Sequence, residues 1–242
     1  MLLSAENVSK SFGSFRAVAG ADLHVAQGEI VGLIGPNGAG KSTFFNCIAG
    51  DMAPSGGRIA FDGSDVTRAP AEAHARLGIG RTFQIPATFE DMTILENVMV
   101  GAFLRHAHRG EARDRALAVI EMTELKELAH QRARSLGTPG RKRLEIARVL
   151  ATGPRLLLLD EALAGLTPAE LQRAIELVRA IHRSGVTLVI VEHVMEVILN
   201  LAQRVIVFNQ GSIIAQGRPQ DVVNDDAVIK AYLGRGRQAK RR

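Results

Sequence analysis

Three stretches of this 242-residue sequence carry side chains suited to phosphate chemistry. The first is "GPNGAGKST", residues 35–43, which fits the spacing G-x-x-x-x-G-K-[ST] and lies between an apolar run, "EIVGLI", and "FFNCIAG". Glycines let successive backbone N–H groups point at one oxyanion, and a helix starting there adds its positive end. Gly35, Asn37, Gly38, Ala39, Gly40, Lys41, Ser42 and Thr43 are therefore the expected NTP-binding loop. Lys41 is suited to reach the β- and γ-phosphates, and Ser42 to place its hydroxyl on Mg²⁺.

The second stretch is "RLLLLDE", residues 155–161. Four leucines read as a buried strand that releases two carboxylates at its C-terminal end, where α/β sheets place their ligands. Asp160 suits Mg²⁺, and Glu161 suits orienting and deprotonating an attacking water. The third, "VTLVIVEHV" (186–194), repeats that pattern and puts His193 just past a strand end, where an imidazole can donate to a γ-phosphate oxygen. Gln84 in "RTFQIP" is a polar amide before Pro86, which is expected to stop a strand. It is placed to sense Mg²⁺ or water.

These side chains need a scaffold, and the sequence supplies one. Hydrophobic residues make up 46%, ordinary for a globular chain, and the longest apolar strings are strand-sized rather than membrane-spanning. "MLLSAENV", "ADLHVA" and "GRIAFDG" read as antiparallel strands, and "GEIVGLIG" as a strand covered on both faces. From about Pro86 to Gln131 apolar residues recur at three- and four-residue intervals, a helical spacing. Helices at 139–152, 168–184 and 194–202 then alternate with strands at 155–159, 186–191 and 204–208, which implies parallel strands with crossover helices. The expected architecture is an α/β P-loop NTPase core (1–85 and 150–234) with a mainly parallel sheet and an N-terminal antiparallel β subdomain. A helical lobe (86–149) is inserted into it, and a basic tail (235–242) follows.

The formal charge is +5, but five cations crowd the last eight residues, "RGRQAKRR". That reads as a frayed, solvated terminus, and the nearly neutral remainder speaks against a nucleic-acid binder. Cys47, the single cysteine, excludes an intrachain disulfide and reads as buried filler in a chain of a reducing cytoplasm.

Taken together and in this order, the motifs resemble an ATP-binding cassette ATPase over almost the whole chain. By that resemblance "GPNGAGKST" is the Walker A loop, Gln84 the Q-loop and a Mg²⁺ contact, "LLLLDE" Walker B and His193 the switch histidine. Phe12 in "VSKSFG" sits where the family stacks an aromatic on adenine. More narrowly, "RTFQ", "MTILENVMVGA", "KRLEIARVLA", "AGLTP", "VEHVMEVI" and "VIKAYLG" are similar to the ATPase subunits of branched-chain amino acid importers, and related urea or amide importers share much of this.

The family's signature motif, commonly LSGGQ, closes over ATP bound to a second subunit. Here Leu136, Gly137, Thr138, Pro139 and Gly140 stand in its place, with glycine at the serine position and proline at a glycine position, removing one N–H donor. Thr138 is expected to cap the following helix and, with that helix end, to take over the contact with ATP. Arg141, Lys142 and Arg143 are expected on a mostly solvated face. Thr167, where the family's D-loop commonly has Asp or Asn, keeps a hydroxyl to offer across the interface.

The resemblance implies a Mg-ATP-dependent subunit at the cytoplasmic face of the cell membrane that dimerises with itself or a second cassette. Its other partners would be integral membrane permease subunits and, indirectly, a substrate-binding protein. The competing expectations are a hydrolysis-poor regulatory cassette in a heterodimer and a non-transport cassette protein acting on nucleic acid or ribosomes.

Overall fold

The computed structural model describes residues 1–238 and divides into two compact units, residues 1–74 with 187 onward, and residues 75–186. The first unit opens with the strands β1 (Leu3–Phe12) and β2 (Phe15–Val25), an antiparallel hairpin. β3 (Ile30–Ile34) is buried along its whole length, as its unbroken apolar run predicts. Then come α1 (Lys41–Ala49), β4 (Gly56–Phe61), antiparallel to β1, and the short β5 (Ser64–Asp65). Cys47 lies buried in α1, and burial pushes its thiol pKa to about 11, so it is filler and not a nucleophile.

The second unit begins within α2 (Ala71–Leu77) and pairs β6 (Ile79–Arg81) with a later strand. β6 ends three residues before Gln84, earlier than Pro86 would impose. After Thr82 N–H donates to Leu158 O, the next amide, Phe83 N–H, turns to the Glu145 carboxylate, so the chain leaves the ladder before the proline acts. The helices α3 (Ile94–Ala102), α4 (Arg109–Met122) and α5 (Thr138–Ala151) follow. A Thr93–Glu96 capping box starts α3. The strand β7 (Leu156–Asp160) is fully buried and parallel to β6, and α6 (Pro168–Arg183) closes the unit. This unit thus takes in β6, β7 and α6 beside the helical segment at 86–149.

The chain returns to the first unit with β8 (Thr187–Val191), α7 (Met195–Leu201), β9 (Arg204–Asn209) and β10 (Ser212–Gly217). β8 and β9 flank β3 in parallel, and β10 joins β9 antiparallel, giving the order β10-β9-β3-β8. The short α8 (Pro219–Val222) and α9 (Asp226–Gln238) end the description, with Val222 and Val228 packed in a cluster with Ile34, Ile198, Val205 and Val207. Of the basic tail, residues 235–238 lie in α9, and 239–242 lie outside the described residues.

Candidate functional site

In the first unit the loop after β3 leads into α1 with Lys41 as the first helical residue. Two glycines are required here. A Cβ on Gly35, at φ 149°, would stand 2.2 Å from Phe208 O, and one on Gly40, at φ 104°, would stand 2.3 Å from Ala17 O. The loop is thus pressed against β2 and β9, and its remaining residues Asn37 and Gly38 face solvent while Ala39 is buried. Lys41 is 5% exposed, and its Nζ donates to Gly35 O at 2.7 Å and Pro36 O at 3.1 Å. Ser42 is exposed and Thr43 half-buried in the first turn of α1, where amides have no intrahelical acceptor. Those amides and the two hydroxyls form a set suited to an oxyanion and a hard cation.

His193 belongs to the same unit, two residues past β8, and is exposed. Phe12 ends β1 and is 48% exposed. Directly across the hairpin stands Phe15, more exposed still, a second aromatic surface that sequence reasoning missed because only Phe12 matched the motif.

In the second unit β7 delivers Asp160, nearly buried, and the chain bends at Glu161 with φ 48°, a left-handed conformation unusual for glutamate. Gln84 Nε2 donates to Glu161 Oε2 at 2.7 Å, so two of the expected catalytic residues meet directly. Asp160 Oδ2 accepts from Arg81 Nη2 at 3.2 Å, and Asp160 N–H donates to Thr82 Oγ1. Burial pulls the Arg81 pKa down and the facing Asp160 carboxylate opposes that shift.

The segment 136–140 differs from expectation. Gly137 holds the N-cap position, Thr138 is the first helical residue of α5 and Pro139 the second. The helix starts one residue early because Gly137 takes the extended cap conformation (φ −68°, ψ 173°) and its carbonyl accepts the N–H of Arg141. Thr138 is therefore no cap, and Gly137 and Thr138 are both exposed, Leu136 is buried, and Gly140 packs closely on the Leu136 side chain.

The three cations that follow are not a solvated face. Arg141 pairs with Glu90 at 2.8 Å and donates to Leu136 O at 3.0 Å, and Arg143 pairs with Glu124 at 3.5 Å. Lys142 Nζ donates to Ala164 O at 2.6 Å and Glu161 O at 3.3 Å. Apart from Leu136 these partners lie about twenty or more positions away in sequence, so helical periodicity gives no sign of them. Thr167 is also committed: it caps α6, accepting from Glu170 N–H and donating to Glu170 Oε2 at 2.7 Å. The sequence T-P-x-E spells this capping box, which takes up the hydroxyl expected at an interface.

Glu145 was missed altogether. It is 2% exposed, and its Oε1 accepts from Phe83 N–H at 3.1 Å and, at the 3.5 Å limit, Ala87 N–H, holding both flanks of Gln84. Burial raises its pKa, opposed by these amides and by Arg148 and Lys142. Arg148 in turn donates to Ala87 O and lies 4.9 Å from the centre of the Phe89 ring. A charged residue in an otherwise apolar "LEIA" run was the available signal.

Comparison with known proteins bears on these geometries. The ABC transporter family model matches residues 18–164, 147 of the 242 residues. This chain belongs to the ABC transporter family. A second model, described as branched-chain amino acid ATP-binding cassette transporter, matches 212–237. The cassette is 38% identical to the high-affinity branched-chain amino acid transport ATP-binding proteins BraF of Pseudomonas aeruginosa and LivG of Escherichia coli K12, covering 96% of this chain and 98% of each relative. It is similar to a solved ATP-binding cassette of an ABC transporter, MJ1267 in its ADP conformation (32% identity, TM-score 0.87, covering 96% of this chain and 98% of that one). A dimeric post-hydrolysis cassette, MJ0796 bound to ADP and Pi, matches at 26% identity and TM-score 0.81, covering 90% and 99%. The cassette is accordingly an ATPase of the P-loop α/β class, as its motifs imply. Among the described residues no helix is long and apolar enough to cross a membrane.

Proposed function

We propose that this cassette is the ATP-hydrolysing subunit of an importer for branched-chain or other hydrophobic amino acids, working at the cytoplasmic face of the membrane with separate permease subunits. The observation that carries this reading is the near full-length similarity to relatives named as branched-chain amino acid transport ATP-binding proteins. The match of 212–237 to the corresponding C-terminal model supports it.

In this reading the amides from Gly35 to Thr43 and the Lys41 ammonium bind the phosphates, and Phe12 stacks on adenine. Ser42, Gln84 and Asp160 offer oxygen donors of the kind Mg²⁺ takes, and the ion would neutralise phosphate charge. Asp160 is paired with Arg81 through Oδ2 in the structure, so a cation at this carboxylate would share it with the guanidinium. Glu161 takes the proton of the attacking water, with Gln84 orienting its carboxylate. His193 donates to the γ-phosphate. Leu136, Gly137, Thr138 and Gly140 present the start of α5 to ATP on a second cassette.

Exposed Phe83, Ile85 and Phe89 lie within five residues of Gln84 in sequence, with Ile85 82% exposed. These exposed apolar side chains beside the Q-loop are where a helix of a permease subunit would dock. The test is reconstitution with the membrane subunits in liposomes. ATP-dependent uptake of leucine with no uptake of urea supports the proposal, and the reverse pattern moves it to the urea/amide class.

A further inference from the structure

We propose that Lys142 is a positioning residue that transmits the state of the segment 136–140 to the carboxylate-bearing loop after β7. This rests on the reading above, in which that segment meets ATP on a second cassette and Glu161 is the general base.

Lys142 lies one helical turn after the start of α5. Its ammonium reaches across to two backbone carbonyls, Ala164 O at 2.6 Å and Glu161 O at 3.3 Å. A cation on a carbonyl makes a charge-assisted hydrogen bond, stronger than a neutral one. The peptide it holds belongs to a residue with φ 48°, a conformation that surrounding structure must impose on a glutamate. A small cavity of about 30 Å³ lies where α5, this loop and α6 meet, bordered by Pro139, Lys142, Leu163, Leu166, Ala174 and Val178. Beside that gap the Lys142 ammonium is a polar tie between helix and loop.

The consequence is directional. When a nucleotide on the second copy draws in the start of α5, Lys142 carries that displacement to the carbonyl of Glu161, and the base of this copy's own site is set. The two ATP sites of a dimer are then linked through one side chain. Gln84 holds the same residue by its carboxylate, so backbone and side chain of Glu161 are gripped from different elements.

The full chain tests this as wild type, Lys142→Met and Lys142→Arg, each also combined with Glu161→Gln. Lys142→Met is expected to lower kcat by about tenfold or more while KM for ATP stays within about twofold. The Hill coefficient for ATP is expected to fall to about one. In the Glu161→Gln background, light scattering is expected to show the same ATP midpoint for dimerisation with and without Lys142→Met, because the clamp itself is intact. Lys142→Arg, which keeps cationic donors, is expected to recover most of the turnover. Unchanged kcat and Hill coefficient in Lys142→Met overturn the proposal, as does a parallel loss of kcat and dimerisation, which marks a merely structural role. If wild type binds ATP without turnover and Glu161→Gln stays monomeric, the functional reading fails and takes this proposal with it.

Discussion

Arg81 Nη2 stands 3.2 Å from Asp160 Oδ2, with the two side chains only 13% and 8% exposed. The carboxylate proposed for Mg²⁺ is thus already paired with a cation of its own unit. Removing one member of a buried pair strands the other charge, at a cost of about 3–5 kcal/mol. Arg81→Met is expected to lower the melting temperature by roughly 6–20 °C for a chain of this size. Mg²⁺ is expected to restore more of that loss in the variant than it adds to wild type, since on the proposed role of Asp160 the ion and the guanidinium compete for one carboxylate. Calorimetry with and without Mg²⁺ checks this, and equal gains in both proteins would count against the competition.

Thr138 allows a clean test of the unusual segment 136–140. Because Gly137 holds the cap position, Thr138→Ala removes a hydroxyl without removing a helix cap. Losing one hydrogen bond to a charged group costs about 1.5–3 kcal/mol. In the Glu161→Gln background, ATP-driven dimerisation is expected to weaken by roughly tenfold or more per clamp. Gly137→Ser, which restores the family's hydroxyl, is expected to strengthen it. Light scattering against ATP concentration reads both.

Glu145 anchors the two ends of the Gln84 loop, so its substitutions divide by what they keep. Glu145→Gln retains the Oε1 acceptor for Phe83 N–H and Ala87 N–H, whereas Glu145→Ala leaves both amides without it. Glu145→Ala is expected to cost about 1–3 kcal/mol in stability and to reduce kcat more than ATP affinity. Denaturant melts and steady-state kinetics separate the two effects.

His74 gives a pH signature. Its ring is buried, with Nδ1 3.1 Å from Ile48 O and Nε2 3.1 Å from Val66 O. Burial outweighs those carbonyls and lowers its pKa below the ordinary 6.5. A group with a depressed folded-state pKa contributes stability above its unfolded value that is lost as pH falls through the folded one. The melting temperature is therefore expected to drop between about pH 7 and pH 5. His74→Gln is expected to be less stable at neutral pH and to show a flatter profile over that range.

Much of the architecture was legible in the sequence because it rests on local signals. The unbroken apolar runs of β3, β7 and β8, and the 3.6-residue spacing of α6, depend only on burial on both faces or on one. The meeting of Gln84 with Glu161 was not legible, nor were the ties of Lys142 and Glu145. Each joins residues tens of positions apart through side chains whose direction periodicity does not specify. Thr138 was misplaced by one position for a related reason. Thr-Pro and Gly-Thr both make acceptable helix starts, and the backbone angles of Gly137 decided between them.

The contacts of Lys41 bear on how the site resets. With its ammonium bonded to Gly35 O and Pro36 O, the loop supplies a resting place for its own most demanding charge. At the proposed ATP site the ammonium is therefore not a bare cation before phosphate reaches it. On that proposal, loading the site becomes a matter of swapping partners around one nitrogen.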